Sequence, residues 1–432
     1  MISTKRRTVL KAILASGPLL AMRPALADTR PIVVMTSYPD TVISLFQSAF
    51  EHHYPQYHLQ ILWRMPFDAL PYLQQPKQSG VDVYWSASPR NFAKLAQQGA
   101  LRKLDIDLAG LPPEIGHTRL TDPGGYYTAT EMAGYGFAVN PAVLQRLGVP
   151  APADWTDLTD PRLENMIALP DPVRVGFAPV MVDIVLQAYG WDKGWALWSE
   201  IVGNSVLLGR GSTFVTDELA EGRRAIGPTI DFFAVSAIVN GAPLRFVYPA
   251  RSGINPAQVA ITASAPNPDG ARAFVEFLVS DAGQRILTHP DIRKLPVRPS
   301  VYAQLPVDYF NPFAAADKGG FNYNEQIGLP RMALVTAIFG QMLSYDQPAL
   351  AGLWHRTHQA EKAGKPVAEI RKLLCTPPIT EQQAGDDKML NAVKHSSEGA
   401  QPGAPTAIEI GWKHNSDSSR QQADALLRKI GA

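Results

Sequence analysis

A chain of 432 residues, 46% hydrophobic with a single cysteine, has enough apolar material for two ordinary domains but cannot close an internal disulfide. Its 40 basic and 39 acidic side chains give a formal net charge of +1. No basic block or aromatic-basic stripe stands out, which argues against a nucleic-acid partner.

The first 27 residues have the parts of an export signal in order. Lys5, Arg6 and Arg7 make a basic start, 9–22 is mostly apolar, and Ala25-Leu26-Ala27 is a small-x-small cleavage site. The apolar run is shorter than the roughly 20 residues a permanent membrane span needs. The stretch Lys5-Arg6-Arg7-Thr8-Val9-Leu10-Lys11 resembles the twin-arginine signal. It departs at Lys5 and Val9, so the general secretory route stays open. The signal carries five basic residues and no acid, so the mature chain has 35 basic and 39 acidic side chains, a net of −4. The implied compartment is the periplasm, with the signal removed. No later run is read as apolar for long enough to cross a membrane.

From residue 31 to about 248, short β-rich runs alternate with amphipathic stretches. Ile32-Val33-Val34-Met35 predicts a strand covered on both faces, followed by Thr36-Ser37-Tyr38 and a helix opening at Pro39-Asp40. Val81-Asp82-Val83-Tyr84-Trp85 leads to Ser86-Ala87-Ser88, then Pro89 and a helix. Ile167-Ala168-Leu169 leads through Arg174 and Gly176 to an apolar helix. Val206-Leu207-Leu208 leads to Gly209-Arg210-Gly211-Ser212-Thr213, then a helix ending near Gly222. Ala225-Ile226-Gly227 leads to Pro228-Thr229-Ile230-Asp231, then a helix from Phe232. This grammar predicts α/β layers with mainly parallel sheets. Such sheets bind ligands in the loops beyond the strands' carboxyl ends, where helix starts offer unpaired N–H groups and partial positive charge. Ser37, Ser88, Ser212 and Thr213 occupy three equivalent loops, as ligand donors or as plain helix caps.

Residues 268–286 predict a helical pair. After Phe313, helices are expected over 332–343, 350–359 and 367–374, then a polar, partly disordered stretch at 381–403 and a short last helix at 423–430.

No reactive constellation assembles. The chain has no Gly-x-Ser-x-Gly, His-Glu-x-x-His or Gly-x-x-x-x-Gly-Lys-Ser/Thr motif, and Phe214 stands where a dinucleotide fingerprint starting at Gly209 needs glycine. His52 and His53 read as surface partners of a helix C-terminus, and Cys375 as a half-buried thiol. No catalytic residue, metal ligand or cofactor is assigned.

Read together, Met35-Thr36-Ser37-Tyr38-Pro39, Val83-Tyr84-Trp85-Ser86-Ala87-Ser88-Pro89, Gly134-Tyr135-Gly136-Phe137-Ala138-Val139-Asn140 and Ile226-Gly227-Pro228-Thr229-Ile230-Asp231-Phe232-Phe233 carry a resemblance. So do Ser280-Asp281-Ala282-Gly283-Gln284 and Leu295-Pro296-Val297-Arg298-Pro299. Over about residues 31–312 the chain resembles the periplasmic solute-binding proteins of ABC transporters. More narrowly it is similar to the iron(III)-type branch, which includes phosphoglycerate-like and hexose-phosphate-like receptors. The resemblance implies a two-lobed fold, with lobe one at 28–130 plus 264–320, lobe two at 131–263, and crossings near 129–139 and 258–263. The helical extension, 321–432, goes beyond the ordinary family length and would pack on lobe one or offer a surface to a partner. Hinge closure around a ligand and docking to a membrane permease are implied, with the chain acting as a monomer. The ligand site would draw on Ser37, Tyr38, Ser86, Ser88, Arg174, Gly176, Arg210, Ser212, Thr213, Asp231 and Phe232.

Ferric members of that branch place a Tyr-Tyr pair where this chain has Phe232-Phe233, which disfavours iron of that type. Asp231 would bind hydroxyls or an amine, or cap its helix. Arg174 and Arg210 favour a small organic anion, phosphorylated or hydroxylated. Ferric capture through other ligands, and an exported enzyme or a partner of a membrane sensor, are the competing readings.

Overall fold

The computed structural model describes residues 30–210, 213–307, 309–397 and 405–432. The export signal and Ser212 lie outside the described residues, as does the side chain of Thr213.

β1 (Arg30–Thr36) is buried at Ile32, Val34, Met35 and Thr36, as its apolar run predicts. It pairs in parallel with β2 (Tyr57–Trp63) and β3 (Val83–Ser86). β2 is a half-buried edge strand whose mixed composition hid it from the sequence reading. A small hairpin follows, β4 (Glu114–Ile115) and β5 (Thr118–Arg119). β6 (Thr128–Val139) is twelve residues long and buried throughout. Next come β7 (Ile167–Pro170), β8 (Ser205–Leu208), β9 (Ile226–Ile230), β10 (Arg245–Val247), β11 (Ile254–Ile261) and β12 (Leu295–Pro296). The main sheet runs β2-β1-β3-β11-β6-β9-β7-β8, with β10 and β12 also on β6.

This order makes the two parallel strand sets face each other. β11 is antiparallel to both β3 and β6, so β3 runs the same way as β6 and stops where Ser86 meets Gln258. β9 is antiparallel to β6 and stops where Ile230 meets Tyr135. Between these two stops lies only the part of β6 from Ala129 to Gly134, about 17 Å at roughly 3.3 Å per residue. Two cores flank that span. One gathers Phe46, Phe50, Trp85, Val259 and Phe274; the other gathers Phe137, Trp155, Ile201, Ile226 and much of the C-terminal extension. The architecture is the two-lobed periplasmic-binding-protein fold.

The extension corrects the sequence reading in three ways. Its helices pack on the second core: Trp354 lies fully buried and its indole N–H donates to Ser199 Oγ at 3.2 Å, while Trp191 donates to the Ile379 carbonyl at 2.9 Å. The cause is the mainly apolar Ala178–Tyr189 and Trp191–Gly203 helices, whose outer faces need a cover. Residues 381–397, expected to be loose, form the helices Glu381–Ala384 and Asp387–Ser397; Thr380 caps the first through a capping box. The last helix is Ala407–Lys429, far longer than its apolar tail suggested. In addition, Glu325–Ser344 is long and apolar enough to cross a membrane by length and composition, yet 61% of it is buried inside the protein, as befits a core helix.

Candidate functional site

The floor of the gap between the strand sets is a buried charge cluster. Glu131, on β6, is 1% exposed and accepts hydrogen bonds from the Tyr38 hydroxyl, from Thr130 Oγ1 and from Lys294 Nζ, the last at 2.8 Å. Lys294 reaches it because β12 places Leu295 opposite Met132. Its ammonium sits 4.0 Å from the Tyr38 ring centroid and 5.1 Å from that of Phe232, so one cation touches a ring from each lobe.

Asp231 opens the helix at the end of β9. Its Oδ2 accepts from the Gly134 N–H at 2.8 Å and from the Tyr248 hydroxyl at 2.8 Å, while Oδ1 is buried with no hydrogen-bond partner. The position before Asp231 is the cap, Ile230, so simple helix capping does not describe this carboxylate. Gly134 is required here: a Cβ would stand 2.6 Å from the Tyr248 ring. Burial pushes the Asp231 carboxyl up to about 6, against the pull of the Gly134 N–H, the Tyr248 hydroxyl, the Phe232 N–H and the Lys294 charge. Tyr38 and Tyr248 are both raised well above the ordinary phenol range, first by burial and then by the carboxylate each faces. Both therefore keep their protons and donate them.

Of the residues singled out from sequence, Tyr38, Asp231 and Phe232 come together around Lys294. Ser86 is buried at the end of β3, and its Oγ has no hydrogen-bond partner. Ser37 is half-buried beside it in the fold, at the end of β1. Neither Ser37 nor Ser88 serves as a side-chain cap: Pro39 caps the first helix, and Ser88 makes no cap bond to the Pro89–Gln97 helix. Arg174 and Gly176 follow β7, Arg210 follows β8, and all three are exposed. In the strand order β7 and β8 lie one and two strands beyond β9, about 5 and 10 Å sideways, so these residues stand at the rim rather than the floor. Arg174 approaches Asp171 at 3.8 Å, and Arg210 lies 5.2 Å over the Phe214 ring. Gly176 has open space around its Cα, so nothing there demands glycine.

Sequence reasoning missed Glu131, Lys294, Tyr248, Arg64 and Arg90. Glu131 had a signal, an acid inside an unbroken buried strand, which nature keeps only with a partner. Arg64 follows β2, with its Nε buried and unpartnered and its guanidinium 4.1 Å over the Tyr72 ring. Arg90 is exposed in the first turn after β3, and partial desolvation lowers its pKa. Cationic side chains thus stand at carboxyl strand ends on both sides: Arg64 and Arg90 on one, Arg174 and Arg210 on the other.

Residues 79–314 match the family profile described as bacterial extracellular solute-binding protein. The chain is 31% identical over 326 residues to the phosphoglycerate transport regulatory protein PgtC of Salmonella typhimurium, covering 74% of this chain and 78% of that one. Among solved structures it resembles the periplasmic binding protein AfuA of Actinobacillus pleuropneumoniae, with fructose-6-phosphate bound, at a TM-score of 0.55 and 20% identity. It also resembles iron-bound HitA of Pseudomonas aeruginosa, at 0.57 and 16%. Each of these comparisons covers 71% of this chain and 99% of the other. The profile match over more than half of the sequence places this chain in the bacterial extracellular solute-binding proteins, receptors rather than enzymes, which bind small ligands and work with ABC permeases.

Proposed function

We propose that the chain is exported, loses its first 27 residues, and captures a small organic anion in the interlobe cleft, closing by a hinge motion before a permease reads it. The carrying observation is the placement of cations at strand ends on both sides of a floor that also offers an unpartnered acceptor, Asp231 Oδ1. An anionic group suits Arg64, Arg90, Arg174, Arg210 and the helix starts; a hydroxyl suits Asp231. The names of PgtC and AfuA, which speak of phosphoglycerate and fructose-6-phosphate, support a phosphorylated or hydroxylated acid. Ser37, Ser86, Ser88, Ser212 and Thr213 would add hydroxyl donors. The receptor works as a monomer.

The ferric reading, which HitA favours, meets two obstacles. Phe232 and Phe233 offer carbon where a hard cation wants phenolate oxygen. The phenols that do face the cleft, Tyr38 and Tyr248, hold their protons firmly. Native mass spectrometry of protein recovered from the periplasm decides between them. A retained ligand of a few hundred daltons, reproduced by a rise in melting temperature with a phosphorylated hydroxy acid, supports the anion reading. Bound iron with its visible absorption overturns it.

A further inference from the structure

Away from the cleft, a cavity of about 200 Å³ opens among the C-terminal helices. Leu350, Leu373 and Leu374 form an apolar wall, and Ser416, Ser419 and Arg420 stand on the other side. Arg420 is the charged residue of this lining, with its side chain 8% exposed. Its Nη2 donates to the Met342 carbonyl at 2.6 Å and its Nη1 to Asp346 Oδ2 at 3.1 Å. Asp346 is 47% exposed, so water screens the anion while the cation stays in the cavity wall. Burial lowers the Arg420 pKa, against the pull of Asp346 and Asp417.

The same cation is tied to the cleft. Met342 belongs to a π-helical turn, Gly340–Ser344, a rare local geometry that often accompanies function. Ser344, which ends that turn, donates from Oγ to Asp171 Oδ2 at 2.9 Å. Asp171 in turn accepts from the Val173 N–H at 3.0 Å, holding the loop that carries Arg174 after β7. Three residues of backbone, 342–344, therefore connect the cavity wall to the loop that carries Arg174.

We infer that this cavity is a second ligand site, an effector pocket for a small carboxylate with an apolar body. A carboxylate matches the planar guanidinium of Arg420, and the leucines cover the rest. An apolar cavity of about 150 Å³ holds benzene, so the volume here accommodates a ring with a carboxylate attached. Binding in this pocket does not depend on which solute the cleft takes.

Benzoate is the probe, added to the full mature chain and followed by calorimetry and by amide hydrogen exchange. Saturable binding is expected, with slowed exchange at both 340–344 and 171–177. Ser419→Phe fills the cavity from a half-buried position and should weaken binding by at least about ten-fold with the melting temperature retained. Arg420→Lys, which keeps the charge but loses the planar fork, should weaken it less. Asp231→Asn, in the cleft, should leave benzoate affinity unchanged. No binding at millimolar benzoate, or binding that Ser419→Phe leaves intact, overturns the proposal. Binding lost in Asp231→Asn but kept in Ser419→Phe places the probe in the cleft and overturns it as well.

Discussion

Asp231 Oδ2 accepts two hydrogen bonds, while the buried Oδ1 has no hydrogen-bond partner. The folded protein therefore holds a proton on this carboxyl up to about pH 6, whereas in the unfolded chain it titrates near 3.9. Protonation favours the fold, so its contribution is full below the unfolded value and is lost as the pH rises through about 6. A shift of about two units corresponds to roughly 3 kcal/mol. Asp231→Asn should accordingly gain stability over the wild type at pH 8, by about 1–3 kcal/mol, and little or nothing near pH 4. Urea unfolding at the two pH values measures this. The same variant should bind the cleft ligand more weakly and lose any fall in affinity below about pH 6, since a hydroxyl donor prefers the ionised carboxylate. Glu131 and Lys294 make a different case, a buried pair rather than a lone acid. Lys294→Met should cost about 3–5 kcal/mol by stranding Glu131, and Glu131→Gln with Lys294→Met together should cost much less than the sum. Chemical denaturation of the four proteins of that cycle checks it. Asp231 was legible in the sequence because it follows a strand in the expected grammar. Lys294 was not, because it follows a loop and acquires its partner only when β12 docks on β6.

The strands and helices between 31 and 286 were readable wherever one face or both faces were apolar. β2 escaped because its residues are half-buried on an edge and follow no clean period. The last helix shows the opposite difficulty. Trp412, Arg420, Ala423 and Leu427 do recur at helical spacing, but two of the four are an arginine and an alanine, so only the end looked apolar. Which surface the extension covers was not legible either, since helical periodicity gives a buried stripe and not its partner. The structure answers with Trp354, whose ring lies against Gly203 so closely that a Cβ there would come within 2.6 Å. Trp354→Ala should cost about 3–5 kcal/mol. Gly203→Ala should be destabilising through overpacking, by about 1–3 kcal/mol. If the extension were a loosely attached module, neither change would move the main unfolding transition followed by circular dichroism.

At the scale of the molecule, the facing strand sets follow from sequence grammar plus two long antiparallel crossings, β6 and β11. The family resemblance implied crossings near 129–139 and 258–263, and β11 starts earlier, at Ile254. A third connection was not anticipated. Residues 323–325 join the β4–β5 hairpin on one side, through Thr118 Oγ1 to the Tyr323 carbonyl at 3.4 Å and the Arg119 N–H to Glu325 Oε1 at 3.0 Å. On the other side, Gln187 in the helix of the second core clasps Asn324 by two hydrogen bonds, at 2.7 and 3.0 Å. Arg331 pairs with the buried Asp183 at 2.7 Å just beyond. If the halves separate as proposed, a segment tied to both must shift at one end, so it would resist opening. Each hydrogen bond is worth about 1 kcal/mol, so Gln187→Ala with Glu325→Ala, losing three of them, should favour opening by ten-fold or more. Small-angle scattering of the ligand-free variant should give a larger radius of gyration than the wild type. Amide exchange should quicken at 117–119 and 323–325, while the β1–β3 core stays protected. If the radius and the exchange both stay at wild-type values, this third connection does not restrain the two halves.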